Sequence, residues 1–214
     1  LPVSEILSAI VAPDLLEIYT GILTDPDRAR TALQYAGPEG YFPLREAIAT
    51  EIRASPDHII PTIGLQQGIE MAAYVLCDRG DVVLTEQATY AGALSAFATQ
   101  EVEVWGLQTD ENGIIPEAVD EAVQVARNEG KKVRLLYTQN VGNPDTGQIL
   151  TQERGIDLLF IAQKQNFVIF QDDAYKGLVF EPDLPVAQPL NRFDPYRVIY
   201  GVTFSKTVAP GIRL

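Results

Sequence analysis

Short apolar runs alternate along most of this chain with longer segments of helical periodicity. The runs DVVL (81–84), EVEVWGL (101–107), KVRLLYT (132–138), NFVIFQDD (166–173) and RVIYGVTF (197–204) are rich in Val, Ile, Leu and aromatic residues. Such side chains suit a pleated surface, and runs of this length predict strands. Between them, REAIATEIRA (45–54), GLQQGIEMAAYVLCD (64–78), AGALSAFATQ (91–100), IPEAVDEAVQVARNEG (115–130) and TQERGIDLLFIAQKQ (151–165) carry apolar residues at helical spacing. Asn128-Glu129-Gly130 predicts a helix stop, since glycine takes the left-handed backbone there without strain. Strand and helix alternating at this rhythm predict an α/β domain with a mostly parallel central sheet. Residues 1–40 are less regular and predict an N-terminal arm or lead-in helix, leaving 41–214 as the domain proper.

Charge and cysteine usage narrow the class. Against 16 Lys+Arg stand 29 Asp+Glu, a formal charge of -13. An acidic surface repels phosphate backbones, which argues against nucleic acid or anionic membrane as a partner. The apolar stretches are interrupted by charges well short of a membrane span. LPVSEILSAIVAPDLLEIY carries acids and no basic leader region, so a cytoplasmic location is expected. A single cysteine, Cys77, excludes an internal disulfide and fits a reducing compartment. With that one cysteine and one histidine, His58, no zinc site is expected. His58 reads as a surface loop residue, Cys77 and Trp105 as packing residues.

In open α/β sheets ligands bind beyond the carboxyl ends of the strands, so the residues just after each run carry the functional information. Asp172-Asp173-Ala174-Tyr175 ends the fourth run, and Asn143-Pro144-Asp145-Thr146-Gly147 follows the third. Thr203, Ser205 and Lys206 follow the fifth. The helix opening on Gly64-Leu65-Gln66-Gln67-Gly68 offers free amides at a positive dipole end, suited to an anion. Each has an ordinary reading alone: Asp172 a cap, Asn143-Pro144 a turn, Gly64 a tight loop, Lys206 a solvated cation. Their joint placement at strand ends is what points to chemistry.

The order of these motifs, from LQYAGPEGYFPLREAI (33–48) through DDAY to SKTVAPGIRL (205–214), resembles the fold-type I enzymes that use pyridoxal 5'-phosphate (PLP). Within them it resembles class I/II aminotransferases, in the branch of the 2-aminoadipate and kynurenine aminotransferases and of aminotransferase-like bacterial regulators. The resemblance implies a three-layer α/β/α sandwich, the large domain of that fold. It implies Lys206 as the amine that holds the cofactor's aldehyde and then serves as general base. Asp172 would pair with the pyridinium nitrogen, keeping the electron sink charged. Tyr175 and Asn143 would hydrogen-bond the phenolic oxygen, and Tyr90 would stack on the ring. Leu65 and Gln66 through backbone amides, Gln66 also through its side chain, Thr203 and Ser205 through hydroxyls, and Arg213 through its guanidinium would hold the phosphate. Tyr35 matches a tyrosine that reaches the neighbouring subunit's phosphate, implying a homodimer with shared sites.

Departures accompany the match. Asp145 intrudes into the usual Asn-Pro-Thr-Gly turn, giving NPDTG, and YTQNVGNP lacks the proline-containing lead-in. The glycine-rich N-terminal substrate loop is shortened around Tyr19-Thr20-Gly21. The sequence stops at Leu214, before the rest of the large domain and the small C-terminal domain with its substrate-binding arginine. The expected activity is transfer of an amino group between an amino acid and a 2-oxo acid. A PLP lyase or decarboxylase, and a regulatory or non-catalytic PLP-binding domain, stay open as alternatives.

Overall fold

The computed structural model describes residues 3–141, 147–178 and 186–214, the side chains of residues 3–8 apart. It divides into a smaller unit, formed by the residues up to Gly64 and by Phe204–Leu214, and a larger unit, Leu65–Thr203.

The elements are the helices α1 (Val3–Leu23), α2 (Pro26–Ala32) and α3 (Phe42–Ile52), then α4 (Gly64–Leu76), strand β1 (Val82–Glu86) and α5 (Ala91–Ala98). There follow β2 (Glu103–Leu107), a small hairpin of β3 (Thr109–Asp110) and β4 (Gly113–Ile114), and α6 (Pro116–Asn128). The last are β5 (Val133–Gln139), α7 (Gln152–Gln165), β6 (Val168–Asp172) and β7 (Val198–Gly201).

In the larger unit the strands form a five-stranded sheet in the order β2-β1-β5-β6-β7, with every pairing parallel. Parallel strands need crossovers, and the helices that supply them cover both faces of the sheet, which explains the nearly continuous apolar runs. Period-two alternation then sorts the side chains. Val82, Leu84, Leu136 and Ile169 pack under α6 and α7 with Val119, Val123, Leu158 and Leu159. Val83, Leu135, Tyr137 and Phe170 pack under α4 and α5 with Ile69, Ala73, Ala93 and Phe97. The unit is thus the expected three-layer α/β/α sandwich.

Each central strand changes character at its carboxyl end while staying buried. Val82-Val83-Leu84 gives way to Thr85-Glu86, Leu135-Leu136-Tyr137 to Thr138-Gln139-Asn140, and Ile169-Phe170 to Gln171-Asp172-Asp173, all of them buried. Burying polar groups is costly without partners, so this rim is where the fold concentrates its specific chemistry.

The smaller unit holds α1, α2 and α3. Asp25 caps α2, its carboxylate accepting from the amides of Asp27 and Arg28. Arg45 is buried on α3, donating from Nε to the carbonyl of Pro56 at 3.0 Å and pairing with Asp57 at 3.3 Å. The lead-in segment therefore contains two helices, one spanning Pro13. Low amphipathicity hid them: on α1, Ile10, Leu16, Ile18, Tyr19 and Leu23 are all exposed, so no apolar stripe marks a buried face. The last strand is shorter than its apolar run, ending at Gly201 because Val202 to Phe204 turn away from the ladder.

Candidate active site

Asp172 is the last residue of β6 and is buried. Its Oδ1 accepts from the amide of Ala174 at 3.0 Å, and its Oδ2 accepts from the hydroxyl of Tyr137 at 2.6 Å. Tyr137 belongs to the cluster under α4 and α5, so Asp172 lies on that face. Asp173 turns the other way. It accepts from Tyr200 Oη at 2.5 Å and from Asn140 Nδ2 at 3.0 Å, while Asn140 also donates to the carbonyl of Ala187 on the α6/α7 side. The opposite pointing of two adjacent acids follows from the pleat of an extended backbone.

Other expected site residues of the larger unit lie at the starts of helices or just after the carboxyl ends of strands. Tyr90 precedes the first turn of α5 and is 42% exposed. Gln66, in the first turn of α4, donates from Nε2 to the carbonyl of Gly92 at 2.8 Å, which ties the starts of α4 and α5 together. Leu65 packs against Gly201, where an added Cβ would come within 2.6 Å of its Cδ1. Tyr175 follows Asp172 in a turn that leads into a short 3-10 helix, Lys176–Leu178. Thr203 follows β7 and is half-buried.

In the smaller unit, Ser205 and Lys206 lie in a turn closed by the Val208 amide on the Phe204 carbonyl at 2.8 Å, both half-buried. Arg213 donates to the carbonyls of Pro210 and Ile63 at 3.2 and 3.3 Å. Its guanidinium lies over Gly64, where φ is +68°. That positive φ is what favours glycine at the position. Tyr35 is 97% exposed. Asn143 lies outside the described residues.

Two groups at the rim escaped the sequence reading. Glu86, at the end of β1, is buried, and its Oε1 accepts from Thr138 Oγ1 at 2.6 Å and from the Gln139 amide at 2.9 Å. Burial pushes its carboxyl up to about 7, against the pull of those donors, with the charge of Asp172 adding to the rise. Burial likewise raises Asp173. Tyr137 read as an ordinary strand aromatic. The legible signal for Glu86 was an acid directly after an apolar parallel strand. For Tyr137 no local signal exists, because its partner lies 35 positions away.

A parallel α/β sheet with buried acids at its carboxyl edge is the arrangement in which open α/β folds bind ligands. The family is narrower: the model of aminotransferase classes I and II matches residues 23–214, and the chain belongs to that family. It is 35% identical over 193 residues to aromatic-amino-acid aminotransferase 1 of Thermococcus litoralis, a match covering 87% of this chain and 46% of the relative. It is 31% identical over 190 residues to YisV, an uncharacterized HTH-type transcriptional regulator of Bacillus subtilis, covering 86% of this chain and 38% of that protein. An alpha-aminoadipate aminotransferase of Thermus thermophilus, solved with N-(5'-phosphopyridoxyl)-L-leucine, superposes with a TM-score of 0.79 at 31% identity, covering 98% of this chain and 51% of that one. The chain spans about half the length of the curated relatives it matches. Among the described residues, no helix is long and apolar enough to cross a membrane, and no acid, histidine or cysteine cluster is placed to hold a metal.

Proposed function

We propose that this chain is the cofactor-binding part of a PLP-dependent aminotransferase that moves an amino group between an amino acid and a 2-oxo acid. The observation that carries the reading is the Asp172 carboxylate, buried at the ligand end of the sheet and held by two donors. An acid withdrawn from water is stabilised by a cation beside it, and a protonated ring nitrogen is one, so the residues fit PLP. Bound there, PLP supplies an electron sink for the carbanion left when an amino acid loses its α-proton.

This chain's residues do the rest. Asp172 would keep the ring nitrogen protonated. Lys206 would hold the cofactor's aldehyde through Nζ, and its amine would serve as base and acid for the substrate's α-proton. Tyr90 would cover the ring, while Tyr175 and Asn143 would donate to its phenolic oxygen. The amides of Leu65 and Gln66, the hydroxyls of Thr203 and Ser205 and the guanidinium of Arg213 would each be a donor for the phosphate dianion. Exposed Ile10, Leu16, Ile18 and Tyr19 on α1, with Tyr35 fully in solvent, support a homodimer in which Tyr35 reaches the partner's site. The single cysteine, Cys77, supports a reducing, cytoplasmic location.

A half-reaction tests the function. The PLP-loaded chain mixed with candidate amino acids and no acceptor is expected to release about one 2-oxo acid per bound cofactor. Release of carbon dioxide or ammonia instead would make it a decarboxylase or lyase. The similarity to YisV favours a second reading, a regulatory PLP-binding module, whose mark is cofactor retention without any product.

A further inference from the structure

We propose that Tyr137 is a positioning residue for Asp172, its hydroxyl fixing the plane of the carboxylate that faces the cofactor ring. The proposal rests on the reading of Asp172 given above and deepens it. Tyr137 is fully buried, and only its hydroxyl is polar beyond the backbone. Its ring is clamped by neighbours, edge-on to Phe97 at 5.8 Å and 72° and tilted against Phe170 at 5.9 Å and 30°. A ring gripped on two sides cannot swing its hydroxyl to another acceptor without repacking the core. Burial above all, and then the nearby Asp172 charge, raise the Tyr137 hydroxyl well above its ordinary range, so it keeps its proton and donates.

The two holds on Asp172 come from different elements. Oδ2 is held by a side chain of β5, and Oδ1 by the Ala174 amide in the turn after β6. One hydrogen bond would leave the carboxylate free to rotate about it; two on separate oxygens fix its plane. A site acid set in advance spends no binding energy on ordering itself when its cation arrives. A phenylalanine at 137 would fill almost the same volume, so packing alone does not call for the hydroxyl.

The test is a double-mutant cycle on PLP affinity with wild type, Tyr137→Phe, Asp172→Asn and the double variant, folding being checked by circular dichroism. Tyr137→Phe is expected to weaken PLP binding about tenfold when Asp172 is present and to add nothing in the Asp172→Asn background. An unchanged affinity, or the same loss in both backgrounds, would overturn the positioning role. A second readout needs no cofactor. In the PLP-free chain, hydrogen exchange at the Ala174 amide is expected to speed up about tenfold in Tyr137→Phe, because the carboxylate accepting from it has lost the Tyr137 hydrogen bond. Unchanged exchange there overturns the proposal by itself. Failure of the wild-type chain to bind PLP, with the Ala174 effect intact, would strike the proposed function and leave the Tyr137 contact standing.

Discussion

Asp172 and Asp173 are neighbours in sequence, equally buried, and on opposite faces of one sheet edge. On the α4/α5 face, Asp172 is held by Tyr137 and the Ala174 amide. On the α6/α7 face, Asp173 is part of a network that runs through Tyr200 and Asn140 to Gln171, which in turn accepts from the amide of Leu190. Glu86 shares that second face, closing the end of β5 against β1. The first arrangement ties one acid to β5 and to the turn after β6, the acid proposed to meet the ligand. The second joins strand ends to one another and to the segment around Leu190. A buried carboxylate can thus serve chemistry or architecture, and its partners decide which.

The largest expected effect separates the two aspartates. Asp172→Asn removes the charge proposed to pair with the ring nitrogen, and the expected loss is about 2–5 kcal/mol, or roughly one and a half to three and a half powers of ten in the rate of proton abstraction. Asp173→Asn keeps an acceptor for Tyr200 and is expected to change that rate less than about tenfold. Single-turnover kinetics with a reactive amino acid compare them directly, and the reverse ranking would break the assignment of faces.

The next effect belongs to Glu86 and is read in stability. Its folded carboxyl lies near 7 against an ordinary value of 4.5. Between those values the folded state holds a proton that the unfolded state has lost. The linked stability is therefore complete below about pH 4.5 and is lost as pH rises through 7, by about 3 kcal/mol. The raised Asp173 acts in the same direction. Glu86→Gln mimics the protonated form and keeps a carbonyl for Thr138 and the Gln139 amide. Urea melts from pH 4.5 to 8 are expected to show a shallower decline in this variant than in wild type. Equal slopes would mean that Glu86 does not hold the proton.

Much of this was legible in the chain. Parallel strands buried on both faces must be apolar along their length, so DVVL, KVRLLYT and NFVIFQDD announced the sheet, and Asp172, following such a run, announced the ligand end. The partner network was not legible. Tyr137 meets Asp172, and Thr138 meets Glu86, only because β5 lies between β1 and β6, and strand order is not written in any local pattern. The helices α1 and α2 were obscured for another reason: their apolar residues face outward, so periodicity gave no stripe to read.

The smallest effect probes the architectural face alone. Tyr200→Phe removes a donor to Asp173 and is expected to cost about 1–3 kcal/mol of stability while leaving PLP affinity within about twofold of wild type. A large loss of PLP affinity with little loss of stability would place Asp173, and not Asp172, on the ligand side.

The most direct measurement adds PLP to the purified chain, fixes the bound cofactor with borohydride and maps the peptides by mass. The account predicts visible absorption from the bound cofactor and a pyridoxyl group on Lys206, with Lys206→Ala losing both. A label on Lys164 or Lys176, or no label under saturating PLP, would contradict it.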